Sequence, residues 1–507
     1  MLKNNIKITH FAIIVGLLNL ILFHYPFFKY VVNNIDYSSF GGIILIASLV
    51  ILVPILNAWL FLLVTNSSRR IAKVVLILFF IVNAIAVYFV NTYGVIIDES
   101  MISNVLNTNY SESSSFFSIN LVGYIVFLGL LPSVFIAKAK IIKLPVKNIL
   151  KLSLFALLSI AILVGANAKN LLWIDNNSKQ LGGLAMPWSY VVNTSLFYVH
   201  KNKANEKEIL LPNATIKDSV KSVVVLVIGE SARSANFSLY GYAKKTNPLL
   251  SKITNLNHFN ATSCATYTTA GVKCILEHTN TDELFEILPN YLERNNVEVI
   301  WRTTNWGEPP LHIKNYQNRA FLSKNYIGKN GGFDEILITD LKKQILSSKK
   351  NKILIVLHTA TSHGPQYSTR HPPSFEIFKP VCQSVELGKC SQQELINAYD
   401  NTIVYTDYIL ASLIDDLKAL KSFKSTMIFV SDHGESLGEN NLYMHGLPMS
   451  FAPKEQYEIP FIVWTSNNSL KEKQNVVLSQ NHVFHSVLNF LAIDSPIYNE
   501  ELNIFKK

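Results

Sequence analysis

The sequence predicts an α-helical membrane domain of five transmembrane helices, followed by an exported α/β domain with a mostly parallel sheet and helices on both faces. Three observations carry this. Five long apolar stretches crowd the first third of the 507-residue chain. The charge balance changes abruptly after them. Beyond residue 221, short apolar runs alternate with segments of helical periodicity.

The apolar stretches lie near 9–29, 41–64, 71–93, 119–138 and 150–168. Each is long enough for a bilayer core, which takes about 20 helical residues. The first is not a signal peptide, because no small-residue cleavage site follows it and four more spans do. Residues 1–170 contain 12 Lys/Arg and 4 Asp/Glu, while the rest of the chain holds 33 and 31. Of the net charge of +10, +8 therefore belongs to the membrane third, and the total describes no nucleic-acid-binding surface. Lys3, Lys7, Arg69, Arg70, Lys73, Lys138, Lys140, Lys143, Lys147 and Lys151 fall on the side of the N-terminus. The opposite loops carry Lys29 with Asp36, then Asp98, Glu99 and Glu112 with no Lys or Arg. By the positive-inside rule the N-terminus is cytoplasmic, and five crossings leave everything after about 170 outside. The expected organisation is a membrane domain over 1–168, an interfacial connector over 169–220 and an α/β domain over 221–507. The connector carries interfacial aromatics from Trp188 to Tyr198.

The four cysteines avoid the membrane part. Two short-spaced pairs in an exported domain suggest the disulfides Cys264–Cys274 and Cys382–Cys390. Free thiols or a four-cysteine zinc site are the alternatives, disfavoured by the lack of any C-x2-C spacing.

In the α/β part, apolar runs at 223–228, 297–301, 353–357, 427–430 and 459–464 suggest buried parallel strands, and 392–420 has helical spacing. Open α/β sheets bind ligands beyond the carboxyl ends of their strands. Here one strand runs into Gly229-Glu230-Ser231, another into His358-Thr359-Ala360-Thr361-Ser362-His363-Gly364, and a third into Ser431-Asp432-His433-Gly434-Glu435. Alone, each is an ordinary loop or helix cap; three chemically loaded ends on one edge are not. Glu230, Asp432 and His433 offer two oxygens and a nitrogen suited to tetrahedral Zn2+, with a fourth ligand expected from the loop 262–270. A hydroxyl on zinc loses its proton near neutral pH and becomes a nucleophile for phosphorus or sulfur.

These residues resemble the alkaline phosphatase/sulfatase superfamily. Within it they resemble the membrane-bound phosphoethanolamine transferases that modify lipid A, to which the mobile colistin-resistance enzymes belong. The resemblance rests on Val227-Ile228-Gly229-Glu230-Ser231-Ala232-Arg233, Ser263-Cys264 through Cys274, Ser362-His363-Gly364-Pro365 and Ala398-Tyr399-Asp400-Asn401-Thr402. It extends through the run from Ser431 to Gln456, and covers nearly the whole chain. It implies that Thr268 is the nucleophile, with Glu230, Thr268, Asp432 and His433 as ligands of one tight zinc site. His363 and His445 match histidines near the substrate phosphate, able to hold a second zinc or to protonate the leaving group. Asn305 and Glu435 match positions near the phosphoethanolamine head group. Asn104, Thr108 and Glu112 match family positions that contact the donor lipid, and their i, i+4, i+8 spacing puts them on one face if that loop is helical. The implied donor is phosphatidylethanolamine, and the implied acceptor is lipid A or another surface glycolipid. The implied setting is the bacterial inner membrane with a periplasmic catalytic domain, acting as a monomer and conferring polymyxin resistance.

Two departures stand out. Where the lipid A enzymes carry a lysine four residues after the asparagine, this chain has Trp306-Gly307-Glu308-Pro309, which points to another acceptor or pose. A further disulfide usual in the family between the two cysteine pairs is missing. A sulfatase is disfavoured because the region after Cys264 lacks the C/S-x-P-x-R frame. A phosphoglycerol transferase of the lipoteichoic-acid type is the stronger rival, opposed by the paired cysteines and the run after Asp432. A non-catalytic metal-bound lipid sensor is opposed by the complete set of nucleophile and ligands.

Overall fold

A computed structural model gives the fold and describes residues 5–108, 110–204, 208–281, 283–467 and 476–505. The chain divides into two compact units, Met1–Val199 and His200–Lys507.

In the first unit, four described helices are long and apolar enough to cross a membrane: Phe40–Ser67, Arg69–Tyr93, Ile119–Lys138 and Val146–Ala166. The first expected span is a pair of helices, Ile8–Phe23 and Tyr25–Asn34, bent by 62° at His24, where Pro26 opens the second helix. Lys3, counted among the topology charges, lies outside the described residues. Where lipid surrounds helices, small residues and polar ties do the packing. Gly16 brings Ile8–Phe23 so close to Phe40–Ser67 that a Cβ would lie 3.2 Å from the Ala58 nitrogen. Asn57 Nδ2 donates to Asn19 Oδ1 (3.1 Å) and accepts at Oδ1 from Trp188 Nε1 (2.7 Å). The segment holding Asn104, Thr108 and Glu112 is not one helix. A helix runs over Glu99–Asn107 and stops at Thr108, whose backbone is extended (ψ 130°). The Thr108 hydroxyl donates to the Asn104 carbonyl (2.6 Å). Glu112 belongs to a separate short helix, Tyr110–Ser115, and its side chain lies outside the described residues. A threonine that bonds back to its own chain competes with the helix it would continue.

The second unit is built on an eight-stranded sheet: β1 (Ser222–Gly229), β2 (Leu256–Thr262), β3 (Glu298–Thr303), β4 (Asn315–Asn318), β5 (Lys352–His358), β6 (Lys424–Ser431), β7 (Glu458–Thr465) and β8 (Leu478–Ser479). The order across the sheet is β8-β2-β7-β6-β1-β5-β3-β4. All eight residues of β1 are buried, which is why its sequence is a continuous aliphatic run rather than an alternating one. β7 corrects one expectation. The run 459–464 forms a strand, but it pairs antiparallel with both β6 and β2. It is as buried as the parallel strands β1, β5 and β6, so its hydrophobicity carries no sign of direction.

The helix Gln392–Lys418 opens on a capping box between Ser391 and Glu394 and fastens the loops around the sheet's carboxyl edge. The Tyr399 hydroxyl donates to the Ser231 carbonyl (2.7 Å) and accepts from the Arg233 amide (3.0 Å). Asn401 Oδ1 accepts from the Ile377 and Phe378 amides. Asp400, wholly buried, accepts from Asn236 (2.6 Å), Tyr242 (2.9 Å) and Lys244 (2.7 Å). Removing one partner of a buried, charged network leaves the others uncompensated, at a cost of about 3 kcal/mol or more. Asp400→Ala is therefore expected to lower the melting temperature of this unit by several degrees. A melting curve that coincides with the wild type would show that the network does not hold these loops.

Candidate metal centre and nucleophile

β1 and β6 are adjacent and parallel, with Gly229 opposite Ser431. The next residues, Glu230 and Asp432, therefore leave the sheet side by side. Ser231 turns the chain in the left-handed region (φ 51°). That turn lets its amide donate to Asp432 Oδ1 (3.1 Å) and its hydroxyl to Glu230 Oε1 (2.7 Å). Thr268 arrives from the far side as the first residue of the helix Thr268–Leu276. Gly271 lets that helix in: a Cβ there would lie 2.2 Å from the Asp432 carbonyl oxygen. Gln480 closes the contact, donating to the Ser431 (2.9 Å) and Asp432 (2.7 Å) carbonyls and accepting from the Cys264 amide (3.0 Å).

Four donor groups meet here. Thr268 Oγ1 is 3.4 Å from Glu230 Oε2 and 3.3 Å from His433 Nε2. His433 Nε2 is 3.5 Å from Glu230 Oε1 and 3.4 Å from Asp432 Oδ2. Tetrahedral zinc with N and O ligands at about 2.0–2.2 Å spaces those ligands ~3.3–3.6 Å apart. These four separations fall in that window, with Glu230 entering through Oε2 toward Thr268 and through Oε1 toward His433. His433 donates from Nδ1 to the Gly434 carbonyl (2.8 Å), which leaves Nε2 as the bare nitrogen turned to the cluster. Asp432 Oδ2 is buried without a hydrogen-bond partner, a state that a cation relieves. The residues thus fit a zinc ion.

The electrostatics agree. Burial and the neighbouring Glu230 charge push the Asp432 carboxyl well above the usual range. Burial also pushes Glu230 up, but His363, His433, His445 and the Ser231 hydroxyl outweigh it and hold Glu230 below the usual range. Burial and the nearby His445 lower His433 to about 3, so it is the neutral, ligating form.

The other expected residues fall into two groups. His445 joins the centre: its ligand atom lies within 4.8 Å of those of Glu230 and His433, and its ring centroid is 4.2 Å from that of His433. His363 is next, 5.6 Å from His445 ring to ring. Asn305 and Glu435 are committed to the protein. Asn305 Nδ2 donates to Glu230 Oε2 (2.6 Å) and the Thr359 carbonyl (2.9 Å). Glu435 is wholly buried, accepting from His445 Nδ1 (2.7 Å) and the Tyr367 hydroxyl (2.5 Å). Both cysteine pairs form the expected disulfides, and no cysteine is free. Gly271, Tyr367 and Gln480 were not singled out by sequence reasoning, since each acts through a contact distant along the chain.

Residues 222–493 match the sulfatase family, and residues 55–202 match the family described as phosphoethanolamine transferase EptA/EptB. The phosphoethanolamine transferase EptA of Helicobacter pylori is 41% identical over 504 residues, 96% of this chain and 94% of that protein. The integral membrane lipooligosaccharide phosphoethanolamine transferase A of Neisseria meningitidis superposes with a TM-score of 0.89 at 27% identity, covering 98% of each chain. The C-terminal periplasmic domain of EptC from Escherichia coli, solved as a complex with Zn, shares the fold of the second unit. Its TM-score is 0.50 at 23% identity, over 59% of this chain and 90% of that one.

Gly271→Ala tests the close approach. An alanine gains about 1 kcal/mol of helix propensity, but a contact of 2.2 Å to backbone must be relieved by moving the helix, a cost of about 1–3 kcal/mol. The variant is expected to lose zinc while the protein still folds. Gly332→Ala, with open space around its Cβ, is expected to keep its zinc. Equal zinc content in the two variants would show that Gly271 does not set the position of Thr268.

Proposed function

The chain belongs to the phosphoethanolamine transferase family, and from that premise we propose how its residues carry phosphoethanolamine from phosphatidylethanolamine to lipid A or a related surface glycolipid. The reading rests above all on the tetrahedral spacing of Glu230, Thr268, Asp432 and His433. A zinc ion held there lowers the pKa of a bound hydroxyl and offsets charge on the transferring group.

Transfer takes two displacements. Thr268 Oγ1 gives up its proton and forms a bond to phosphorus as the bond to the diacylglycerol oxygen breaks, and that oxygen takes the proton released. An acceptor hydroxyl then gives up its proton and attacks the same phosphorus, and the Thr268 oxygen leaves and takes that proton. His363 and His445 supply and recover the proton; the Glu435 carboxylate orients His445 through its Nδ1–H. Thr268 stands at a helix start where Tyr267 offers no side-chain cap. The backbone amides of that first turn are therefore available to phosphoryl oxygens. The Cys264–Cys274 disulfide closes a short loop around Thr268, worth on the order of 3 kcal/mol. The neighbouring Thr266 is unsuited to attack, because its hydroxyl donates to the Leu447 carbonyl. Room for a second cation beside His363 and His445, and contacts of Asn104, Thr108 and Glu112 with the donor lipid, belong to the same proposal. The N-terminus is cytoplasmic and the second unit periplasmic. Membrane anchoring keeps the enzyme where both of its lipids are.

After incubation with phosphatidylethanolamine, intact mass measurement is expected to show a phosphoethanolamine adduct that peptide mapping places on Thr268. Thr268→Ala is expected to lose more than about 10³-fold in turnover, with Thr266→Ala and Thr269→Ala far milder. An adduct on Thr266 or Thr269, or near-normal turnover by Thr268→Ala, would refute the assignment. Topology is tested separately: a periplasm-only reporter fused after residue 220 is expected to be active and one within 139–149 silent, and the reverse pattern contradicts the orientation.

A further inference from the structure

The departure Trp306-Gly307-Glu308-Pro309 lies against the nucleophile. Gly307 takes φ 99°, and a Cβ there would lie 3.2 Å from Thr268 Cγ2. From this segment Glu308 reaches His358, the last residue of β5. Glu308 Oε2 and His358 Nδ1 are 3.7 Å apart, and both are buried without a hydrogen-bond partner. A buried donor and acceptor facing each other complete one another with a small shift. The other Glu308 oxygen accepts from the Tyr316 hydroxyl (2.7 Å), and the Trp301 ring holds the His358 ring edge-on at 5.9 Å.

A proton on His358 Nδ1, turned to Glu308, leaves Nε2 bare. That nitrogen faces Asn305 Nδ2 at 3.4 Å, a third and longer contact beside an amide whose two hydrogens go to Glu230 Oε2 and the Thr359 carbonyl (2.9 Å). The opposite tautomer would set N–H against N–H and push the amide away. The amide held there is the one that donates to Glu230 Oε2 at 2.6 Å. We propose that Glu308 is a positioning residue: by fixing the His358 tautomer it aims the Asn305 amide at Glu230 and so orients a metal-binding carboxylate. The proposal rests on Glu230 being a zinc ligand. Partners behind a ligand commonly change metal affinity by about 10–100-fold.

The test is zinc affinity by chelator competition on the full-length protein in detergent, with thermal melting of every variant alongside. Glu308→Ala is expected to weaken zinc about tenfold or more. Glu308→Gln, whose amide oxygen still accepts from Nδ1–H, is expected to stay within about threefold of wild type. In a His358→Gln background, Glu308→Ala is expected to add nothing, because the link is already cut. Unchanged zinc affinity in Glu308→Ala, failure of Glu308→Gln to rescue, or additive losses in the double variant would each overturn the proposal. Zinc affinity unchanged in Glu230→Ala overturns the site reading instead, and this inference with it.

Discussion

Two carboxylates that cannot both be charged in a closed pocket without a cation are the constraint to which the rest of the second unit answers. Glu230 and Asp432 are almost wholly buried, and parallel pairing of β1 with β6 forces them together. Burial and the Glu230 charge raise Asp432, and its Oδ2 has no hydrogen-bond partner. Such an arrangement costs several kcal/mol unless a cation completes it. In the proposed site His433 Nε2 and Thr268 Oγ1 would supply the remaining corners, so the arrangement that would hold the ion would also place the proposed nucleophile.

Much of the surrounding structure serves to keep that spacing. Gly271 admits the helix of Thr268 to the Asp432 carbonyl. Gln480 ties the Asp432 loop to Cys264, and Tyr399, Asp400 and Asn401 pin the loops on the same edge. Glu435 and Tyr367 hold His445 from behind. The motif Ala398-Tyr399-Asp400-Asn401-Thr402 thus fastens loops rather than touching the reacting atoms.

The sequence showed the strand ends well, because β1, β5 and β6 are buried on both faces and read as unbroken apolar runs that stop at Glu230, Thr359 and Asp432. It hid β2 and β4. Leu256–Thr262 and Asn315–Asn318 are polar and largely unburied, so neither period nor hydrophobicity marks them. The direction of β7 was equally hidden, since its burial matches that of the parallel strands β1, β5 and β6. Among the proposed site residues, Glu230, Asp432 and His433 could be read from the strand ends, while Thr268 followed only from the family resemblance. Committed roles were not: Asn305 donates to Glu230, 75 residues away, and Glu435 is closed off by Tyr367, 68 residues away, and by His445, facts fixed by packing rather than by local pattern. The i, i+4, i+8 spacing of Asn104, Thr108 and Glu112 suggested one face, but the Thr108 hydroxyl bonds back and ends the helix.

The central claim is that three side-chain oxygens and one imidazole nitrogen form a single zinc tetrahedron that includes the nucleophile. X-ray absorption at the zinc edge of the purified full-length protein tests it most directly. The account predicts four light scatterers at about 2.0–2.2 Å, one of them with the outer-shell signature of imidazole, and no sulfur. In Thr268→Ala, one oxygen from this shell is lost or replaced by water. Sulfur at about 2.3 Å, or a wild-type shell unchanged by both Asp432→Ala and His433→Ala, would contradict it.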